Sequence, residues 1–208
     1  MKIRHLGLQP YQSVFEKMLH FTRQRNSETE DEIWFCEHAP TYTVGTTCPL
    51  LSSDLKNIPI VKTDRGGKIT YHGPGQIVCY PLVNLRNRKL YPKAYLSIIQ
   101  QMLLEFCCSY GVDASLVEGA PGIYLPLLGG FGQFANLAKV ASIGLKITND
   151  CTYHGFAINI NADLSPFKDI DPCGYQGLRA VNLSHYAPLI TIDEAEEKLT
   201  EKIEEYFA

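Results

Sequence analysis

The sequence predicts an α+β domain with a mostly antiparallel or mixed sheet and flanking helices. Apolar residues recur at helical spacing near both ends and in the middle of the chain, and strand-like runs fill the stretches between them. These runs occur in groups and do not alternate one-for-one with helices, which disfavours a sheet built from strand–helix–strand units. Because 208 residues suffice for one hydrophobic core, we expect a single domain over residues 1–208.

The first half of the chain predicts one helix followed by strands. Apolar side chains from Tyr11 to Phe21 follow the helical repeat, and the later runs are rich in Ile, Val and Tyr, which is typical of strands. The predicted elements are a helix over about residues 10–24, a solvated acidic loop at Ser27–Glu32, and strands at Ile33–Cys36, 58–62 and 76–83.

The second half predicts two further helices around a group of strands. Pro92 is suited to a first helical position, and Gly111 is suited to closing that helix. Thr191 and Glu194 have the spacing of a capping box before the charged C-terminal helix. Between these helices lie strand-like runs at 122–127, 138–147 and 151–160.

Composition and charge exclude several classes of protein. The formal net charge of −3 gives no electrostatic case for binding nucleic acid or an anionic membrane. The longest uncharged stretch, Gly119–Ala138, contains five glycines and two prolines, so we expect a loop-rich buried segment there and no membrane span. The N-terminus shows no signal or transit peptide, and we expect a cytoplasmic protein.

The seven cysteines do not form a recognisable framework. Their number is odd, no CxxC pair occurs, and the histidines do not complete a zinc-finger spacing. We therefore expect neither disulfides nor a structural metal, and most of these thiols should be small buried hydrophobic groups. A catalytic thiol has to be argued from its surroundings.

The segment Arg65–Gln76 is the first candidate site. Four glycines in the eleven residues Arg65–Gly75 let the backbone approach a ligand closely, and we expect too much glycine here for a regular element. Arg65 and His72 add donors, and Tyr71 adds a flat apolar wall. A glycine-rich hairpin loop without a ligand is the alternative, and the pattern of a nucleotide-binding P-loop is absent.

Lys139 and Cys173 are candidates because their neighbours are unusual. Strand alternation would place Lys139 on one face with Ala141 and Ile143, too apolar for a solvated ammonium. The alternative is a strand-end lysine that extends to water. Cys173 lies between Pro172 and Gly174, which predicts a rigid turn that can expose a nucleophile. A lone histidine such as His154, which opens an apolar strand, is more often a structural residue.

Several segments, taken in order, resemble the lipoyl(octanoyl) transferase family. Each is weak alone, but the ordered set is specific and spans roughly residues 30–180. The matching segments are His38–Gly45, Arg65–Gln76, Gly122–Tyr124, Lys139–Lys146, His154–Asn159, Asn161–Phe167 and Ile170–Tyr175.

The resemblance implies the fold shared with biotin and lipoate protein ligases, and an acyltransferase of protein lipoylation. Such an enzyme moves an octanoyl group from octanoyl-acyl carrier protein to a lysine of a lipoyl domain. The implied acceptors are lipoyl domains of 2-oxoacid dehydrogenases and the glycine-cleavage H protein. No cofactor, metal, nucleic acid or membrane is implied.

The resemblance also assigns roles to residues. The nucleophile falls on Cys173 and the essential lysine on Lys139. The substrate-binding positions fall on Arg65, Gly66, Gly67, Lys68, Ile69, Thr70, Tyr71, His72, Ser142, Ile143, Gly144, Gly155, Phe156 and Ala157.

The chemistry of these residue types fits the implied reaction. A thioester donor exchanges its acyl group readily with a thiolate. A free thiol titrates near ~8.5, so Cys173 needs a nearby cation to ionise at neutral pH, and Lys139 can supply it. Lys139 would then act as the base for the incoming lysine amine. Backbone N–H groups of the glycine-rich segment or of Gly174 are candidates for stabilising the oxyanion.

Two departures from the family and two rival functions remain open. The stretch between Tyr124 and Lys139 is longer and more apolar than the family leads us to expect, and Val181-Asn182-Leu183 replaces a hydroxyl-bearing segment. One rival is an ATP-dependent lipoate or octanoate ligase of the same fold, which would leave Cys173 without a function. The other is a non-catalytic carrier-protein or lipid-binding module.

Overall fold

The computed structural model describes residues 1–48, 55, 58–171, 174–175 and 177–207. Within these residues the α-helices are α1 (Tyr11–Gln24), α2 (Pro92–Cys108) and α3 (Ile192–Phe207). The strands described are β1 (Lys2–Gln9), β2 (Glu32–His38), β3 (Thr41–Val44), β4 (Ile60–Lys62), β5 (Ile69–His72), β6 (Gln76–Leu82), β7 (Ser115–Val117), β8 (Ala120–Pro126), β9 (Leu137–Thr148), β10 (Cys151–Asn159) and β11 (Arg179–Ala180).

A large mixed sheet forms the centre of the described chain. Its strand order is β1-β2-β6-β10-β9-β8-β7, and β11 pairs with β9 beside this path. The β1–β2 and β9–β11 pairs are parallel, and the remaining pairs of this sheet are antiparallel. The predicted α+β class with a mostly antiparallel or mixed sheet is therefore confirmed.

A small second sheet brings the glycine-rich segment to the large one. β3 lies between β4, to which it is parallel, and β5, to which it is antiparallel. The expectation that glycine prevents regular structure throughout Asp64–Gly75 is wrong for Ile69–His72. These residues contain no glycine, and their cross-strand partners are Thr41–Val44.

The two faces of the large sheet are covered by different helices. Strand alternation sends Ile77 and Cys79 of β6 into the main core with α2 and α3, while Val78 and Tyr80 pack on the side of α1. A fully buried aliphatic or aromatic side chain contributes about 1.5–3 kcal/mol relative to its exposed state. Burial on both faces explains why β6 is apolar from Ile77 to Leu82.

The predicted helices are confirmed, and their ends have physical causes. α1 buries Tyr11, Val14 and Met18. Pro92 occupies the start of α2, where its missing N–H costs nothing. The capping box before α3 forms, because Glu194 N donates to Thr191 Oγ1 at 3.2 Å and Thr191 N donates to Glu194 Oε2 at 3.1 Å.

The N-terminal region differs from the prediction at two points. β1 precedes α1 and was not predicted. It is an edge strand with a mixed exposure pattern, so its apolar periodicity is weak. The acidic run is not solvated to its end, because Glu32 is buried in β2, where its carboxylate accepts from Arg4 Nε at 2.5 Å and from Trp34 Nε1 at 2.6 Å.

The uncharged stretch 119–138 forms β8, a connecting loop and the start of β9. β8 and β9 are antiparallel, so the stretch is a hairpin. Its expected burial holds for Ile123, Tyr124 and Leu125, but Leu128 and Phe131 at the tip are 87% and 65% exposed. Among the described residues, no helix has both the length and the apolar character needed to cross a bilayer.

Candidate active site

Lys139 is buried in β9, where backbone and ring contacts hold its ammonium group. Its side chain faces Tyr124 of β8, and Nζ lies 5.1 Å from the centroid of that ring. Nζ also donates a hydrogen bond to the Pro121 carbonyl at 3.1 Å. A buried ammonium is stable only when such groups replace its water, and at 3% exposure Lys139 does not extend to solvent.

A β-bulge decides which way Lys139 points. Ala141 pairs with Ile123 and Lys139 pairs with Tyr124, so the intervening Val140 is the additional residue. Val140 and Ala141 consequently both enter the main core. The prediction that Lys139 shares a face with Ala141 and Ile143 is therefore wrong, since simple alternation fails across a bulge.

Gly122 provides the space for this lysine. Its φ is +142°, and a Cβ there would lie 3.0 Å from Lys139 Cε and 2.5 Å from the Ala141 carbonyl oxygen. A larger residue at position 122 would displace the ammonium from its place.

Arg65 fastens the glycine-rich segment to β3 and β9. Its Nη2 donates to the carbonyl oxygen of Thr43 at 2.8 Å and to Thr43 Oγ1 at 2.9 Å. A Cβ on Gly144 would lie 3.0 Å from Arg65 Cδ, so the guanidinium stem crosses β9 where that strand has no side chain. Gly66 N donates to the Leu145 carbonyl at 3.0 Å, which completes the attachment.

A pocket of about 50 Å³ lies beneath this segment. This volume is below the ~300–1,000 Å³ typical of small-molecule sites, and a larger cavity of about 380 Å³ adjoins it. Every predicted substrate-binding residue except Tyr71 lines it, together with Tyr11, Val78, Tyr80 and His154. The structure therefore brings these residues together, and their contact with a substrate remains a prediction.

Tyr71 was expected to form a wall of this pocket, but it does not line it. Its ring packs against Tyr42 at 5.6 Å and against Phe167 at 5.7 Å in a separate cluster. Thr70 and His72, its neighbours in β5, line the pocket instead. In a strand the side chains on either side of a pocket-facing residue point to the opposite face.

An adjoining cavity connects the pocket to Lys139. The second cavity contains Lys139, Pro121 and Tyr175. Five residues line both cavities: Gly66, Gly67, Lys68, Ile143 and Gly144.

From β9 the pocket crosses β10 to Val78 and Tyr80 of β6. Two strand spacings at ~4.8 Å each place this far side roughly 10 Å from β9.

The far side of the pocket is polar but uncharged at neutral pH. Burial lowers the pKa of His72 to about 3 and that of His38 to about 4. Neutral His72 donates from Nδ1 to Gln76 Oε1 at 2.7 Å. Neutral His38 donates from Nδ1 to the Gln9 carbonyl at 3.0 Å and accepts from the Tyr80 hydroxyl at 2.7 Å.

His154 links the pocket floor to the residue before the glycine-rich segment. Its Nε2 donates to Asp64 Oδ1 at 2.9 Å, and the Tyr153 hydroxyl donates to the other carboxylate oxygen. The hydrogen bond from His154 lowers the pKa of Asp64 to about 2, while burial lowers the pKa of His154. His154 has a φ of +56°, a strained value for a residue other than glycine.

Cys173, the predicted nucleophile, lies outside the described residues, as does Pro172. The described neighbour Gly174 has a φ of +73°, and its N–H donates to the Asp171 carbonyl at 2.8 Å. Lys68 lies directly against it, because a Cβ on Gly174 would overlap the Lys68 Nζ. A second lysine thus lies beside the residue that follows the predicted nucleophile.

The Val181-Asn182-Leu183 segment makes polar contacts through Asn182. Asn182 Oδ1 accepts from Ala162 N at 3.1 Å, and its Nδ2 donates to the Ala162 carbonyl at 2.9 Å. The amide side chain therefore binds neighbouring backbone without a hydroxyl.

Sequence reasoning missed pocket residues that come from outside the motifs. The sequence marks Tyr11 and Tyr80 only as apolar positions of a helix and a strand, and it does not mark Asp64, which binds the pocket residue His154. The sequence signal for Tyr11 is its position as the first residue of the apolar helical stripe, directly after Pro10. Among the described residues, no three His, Cys, Asp or Glu side chains are close enough to hold a metal ion.

Comparison with known proteins identifies the family. The lipoyl protein ligase A/B catalytic domain family matches residues 10–204. The chain belongs to this family. The chain is 43% identical over 204 residues to a protein named Octanoyltransferase from Polynucleobacter asymbioticus. The match covers 97% of this chain and 95% of that protein. It is 46% identical to the Octanoyltransferase of Paraburkholderia xenovorans, over 88% of this chain and 77% of that one.

Solved structures show the same fold as this chain. A bipartite lipoate protein ligase from Thermoplasma acidophilum has a TM-score of 0.74 at 12% identity, over 99% of this chain and 82% of that one. A biotin protein ligase from Aquifex aeolicus in complex with biotin and ATP has a TM-score of 0.54 at 13% identity, over 99% and 69%. The predictions of a biotin/lipoate ligase-like fold and of membership in the octanoyltransferase family are confirmed.

Proposed function

We propose that this protein transfers an octanoyl group from octanoyl-acyl carrier protein to a lysine of a lipoyl domain through an acyl-thioester on Cys173. The observation that carries the proposal is the placement of Lys139. Its buried ammonium faces a cavity that shares five lining residues with a pocket suited to an acyl chain. The relatives at 43% and 46% identity support the choice of acyl group.

The first half of the proposed reaction loads the enzyme. The Cys173 thiolate attacks the carbonyl carbon of the donor thioester, and the donor leaves as a thiol by taking a proton from the Lys139 ammonium, which leaves Lys139 neutral. Lys139 stabilises the thiolate by its positive charge. Exchange between two thioesters is nearly balanced in energy, so the protein needs no ATP for this step.

The second half transfers the chain to nitrogen. The acceptor lysine amine attacks the acyl-Cys173 carbonyl, the amide bond forms, and the Cys173 thiolate leaves. The amine must lose a proton in this step, and a Lys139 side chain in its neutral form accepts it. One lysine therefore acts first as a cation and then as a base.

The pocket is suited to an uncharged acyl chain. Gly144, Gly155 and Ala157 present little side chain along its floor. His72 in the lining and His38 behind Tyr80 are neutral, so neither adds a charge that an entering apolar chain would desolvate. An acyl chain extended across β9, β10 and β6 would end against Tyr11 and Tyr80.

The partners and the place of action follow from the family resemblance. We propose lipoyl domains of 2-oxoacid dehydrogenases and the glycine-cleavage H protein as acceptors, in the cytoplasm, with residues 1–208 acting as one catalytic domain. No metal or cofactor takes part in the proposed steps.

Intact-protein mass spectrometry tests the proposal. Wild type and Cys173→Ser are mixed with octanoyl-acyl carrier protein without ATP, and an apo lipoyl domain is then added. We expect an octanoyl adduct on wild type alone, discharged by the lipoyl domain. Acceptor octanoylation that Cys173→Ser retains in full would contradict the thioester route. Transfer that requires free octanoate and ATP would instead identify a ligase.

A further inference from the structure

The long hairpin between β8 and β9 carries an aromatic stack that reaches both sides of the proposed site. The Phe134 ring stacks on Tyr124 with centroids 5.4 Å apart and planes at 26°. On its other side it meets the Tyr175 ring at 4.9 Å and 64°, an edge-on contact. These three residues are called the Tyr124–Phe134–Tyr175 stack below.

One end of the stack supports Lys139. The Tyr124 ring is fully buried and lies 5.1 Å from Lys139 Nζ. The Tyr124 hydroxyl donates to the Ala120 carbonyl at 3.0 Å, which fixes the far end of the ring. Phe134 stacks on the Tyr124 ring and so restrains the orientation of the ring that contacts the Lys139 ammonium.

The other end of the stack holds the residues that follow the predicted nucleophile. Tyr175 comes one residue after Gly174, and its hydroxyl donates to the Gly119 carbonyl at 3.2 Å. A Cβ on Gly177 would lie 2.8 Å from the Phe131 ring, so the hairpin tip also packs on this stretch. The hairpin therefore contacts the chain on the C-terminal side of Cys173 at two points.

The hairpin is itself well anchored. Leu127 N donates to the Asn136 carbonyl at 2.8 Å, and Asn136 N donates to the Gly129 carbonyl at 2.6 Å. Arg179 Nη2 donates to the Leu127 carbonyl at 2.5 Å, which joins the loop to β11. Phe134 is only 6% exposed. A ring held in this way can transmit position between its two neighbours.

We propose that Phe134 is a positioning residue of the acyl transfer reaction. Through Tyr124 and Tyr175 it aligns the Lys139 ammonium with the Gly174–Tyr175 stretch. This assigns a use to the long apolar segment that the family resemblance did not explain. The inference rests on the proposed function for the roles of Lys139 and Cys173.

The test compares Phe134→Leu with Phe106→Leu. Phe106 is an equally suitable buried ring, fully buried on α2 and edge-on to Tyr110 at 5.3 Å, but it belongs to the main core. We expect Phe134→Leu to lower kcat about ten- to a hundred-fold, with the KM for octanoyl-acyl carrier protein within two-fold of wild type. Phe106→Leu should leave kcat per folded molecule unchanged, and Phe134→Tyr, which keeps the ring, should restore kcat.

A second readout does not depend on turnover. The rate of Cys173 alkylation is followed against pH by peptide mass spectrometry, with exposed Cys108 as the internal reference. If Phe134 positions the ammonium, the alkylation midpoint moves to higher pH in Phe134→Leu and stays in place in Phe106→Leu. Should Phe134→Leu fail to fold, Tyr175→Leu removes the other contact of the stack and is measured in the same way.

The outcomes separate the two proposals. A wild type that does not transfer octanoyl groups overturns the proposed function, while the alkylation comparison still decides the positioning by Phe134. Equal losses in Phe134→Leu and Phe106→Leu, or an alkylation midpoint unmoved by Phe134→Leu, would overturn the positioning.

Discussion

The two faces of the large sheet bury different kinds of side chain. On the side of α2 and α3, Ile99, Met102 and Phe106 pack into an apolar core, and Thr152 is satisfied by donating to the Pro81 carbonyl at 2.6 Å. On the side of α1, the sheet buries His38 and His72 and borders a cavity. The large sheet thus separates the apolar core, which stabilises the fold, from the face that contains the candidate active site.

Substitutions on the two faces should therefore have different effects. Removing atoms from the apolar face leaves a cavity and lowers stability, whereas changes on the α1 face alter charge, hydrogen bonding or pocket shape. Among the substitutions that test this division, replacement of Lys139 should have the largest effect.

Lys139→Met is expected to lower octanoyl transfer about 10²- to 10⁴-fold, because it removes both the cation and the base. The thermal midpoint should not fall, since an apolar side chain of similar length replaces a buried charge. Acceptor octanoylation and differential scanning calorimetry measure the two effects. Full turnover in this variant would refute the assigned mechanism.

Phe106→Ala is expected to lower the free energy of unfolding by about 3–5 kcal/mol, because it empties a fully buried site on the apolar face. Urea denaturation measures the loss. Transfer activity per folded molecule should match wild type. A specific loss of activity at full folding would break the division between the two faces.

Acid sensitivity should belong to the α1 face. His38 is neutral when folded, with a pKa of about 4, against about 6.5 when unfolded. The unfolded chain binds the additional proton between these values, so stability is full above about pH 6.5 and falls as the pH drops towards 4. The contribution is roughly 3–4 kcal/mol. Denaturation of His38→Gln at several pH values should give a flatter profile, and an unchanged slope would contradict the assignment.

Ala157→Leu should shorten the preferred acyl chain. Ala157 lines the pocket floor and is buried, so three added carbon atoms occupy space that an octanoyl chain would fill. We expect kcat/KM for octanoyl donor to fall about ten- to a hundred-fold, with a smaller loss for butanoyl donor. Competition between the two donors measures the ratio. Equal losses for both chains would show that Ala157 does not limit depth.

Local patterns predicted the three α-helices, five strands of the large sheet and the pocket motifs, but not the orientation of individual side chains. The periodicity of Tyr11, Val14 and Met18 was sufficient for α1, and the motif around Arg65 was sufficient to find the pocket. The faces of Tyr71 and Lys139 were predicted wrongly. One depends on the start of a short strand within a glycine-rich segment, and the other depends on a bulge. Neither leaves a mark in hydrophobic periodicity.

Contacts between distant parts of the chain were also beyond sequence reasoning. Asp64 and His154 are 90 residues apart, and each looks ordinary in its own stretch. Their pairing exists only because β10 and the segment before β5 meet over the pocket. The use of Phe134 likewise becomes visible only when Tyr124 and Tyr175 lie on either side of it.

The link between Asp64 and His154 has a consequence for the order of folding. A hydrogen bond that closes a loop of 90 residues forms late, because the entropy of closure must first be offset by other contacts. The segment around Asp64 that covers the pocket should therefore reach its native position only after β6, β10 and β9 have paired. In the native protein it should also be among the first parts to open, and hydrogen exchange at Gly66 N should be faster than exchange within β10. A site that closes last and opens first can admit a long acyl chain without unfolding the sheet beneath it.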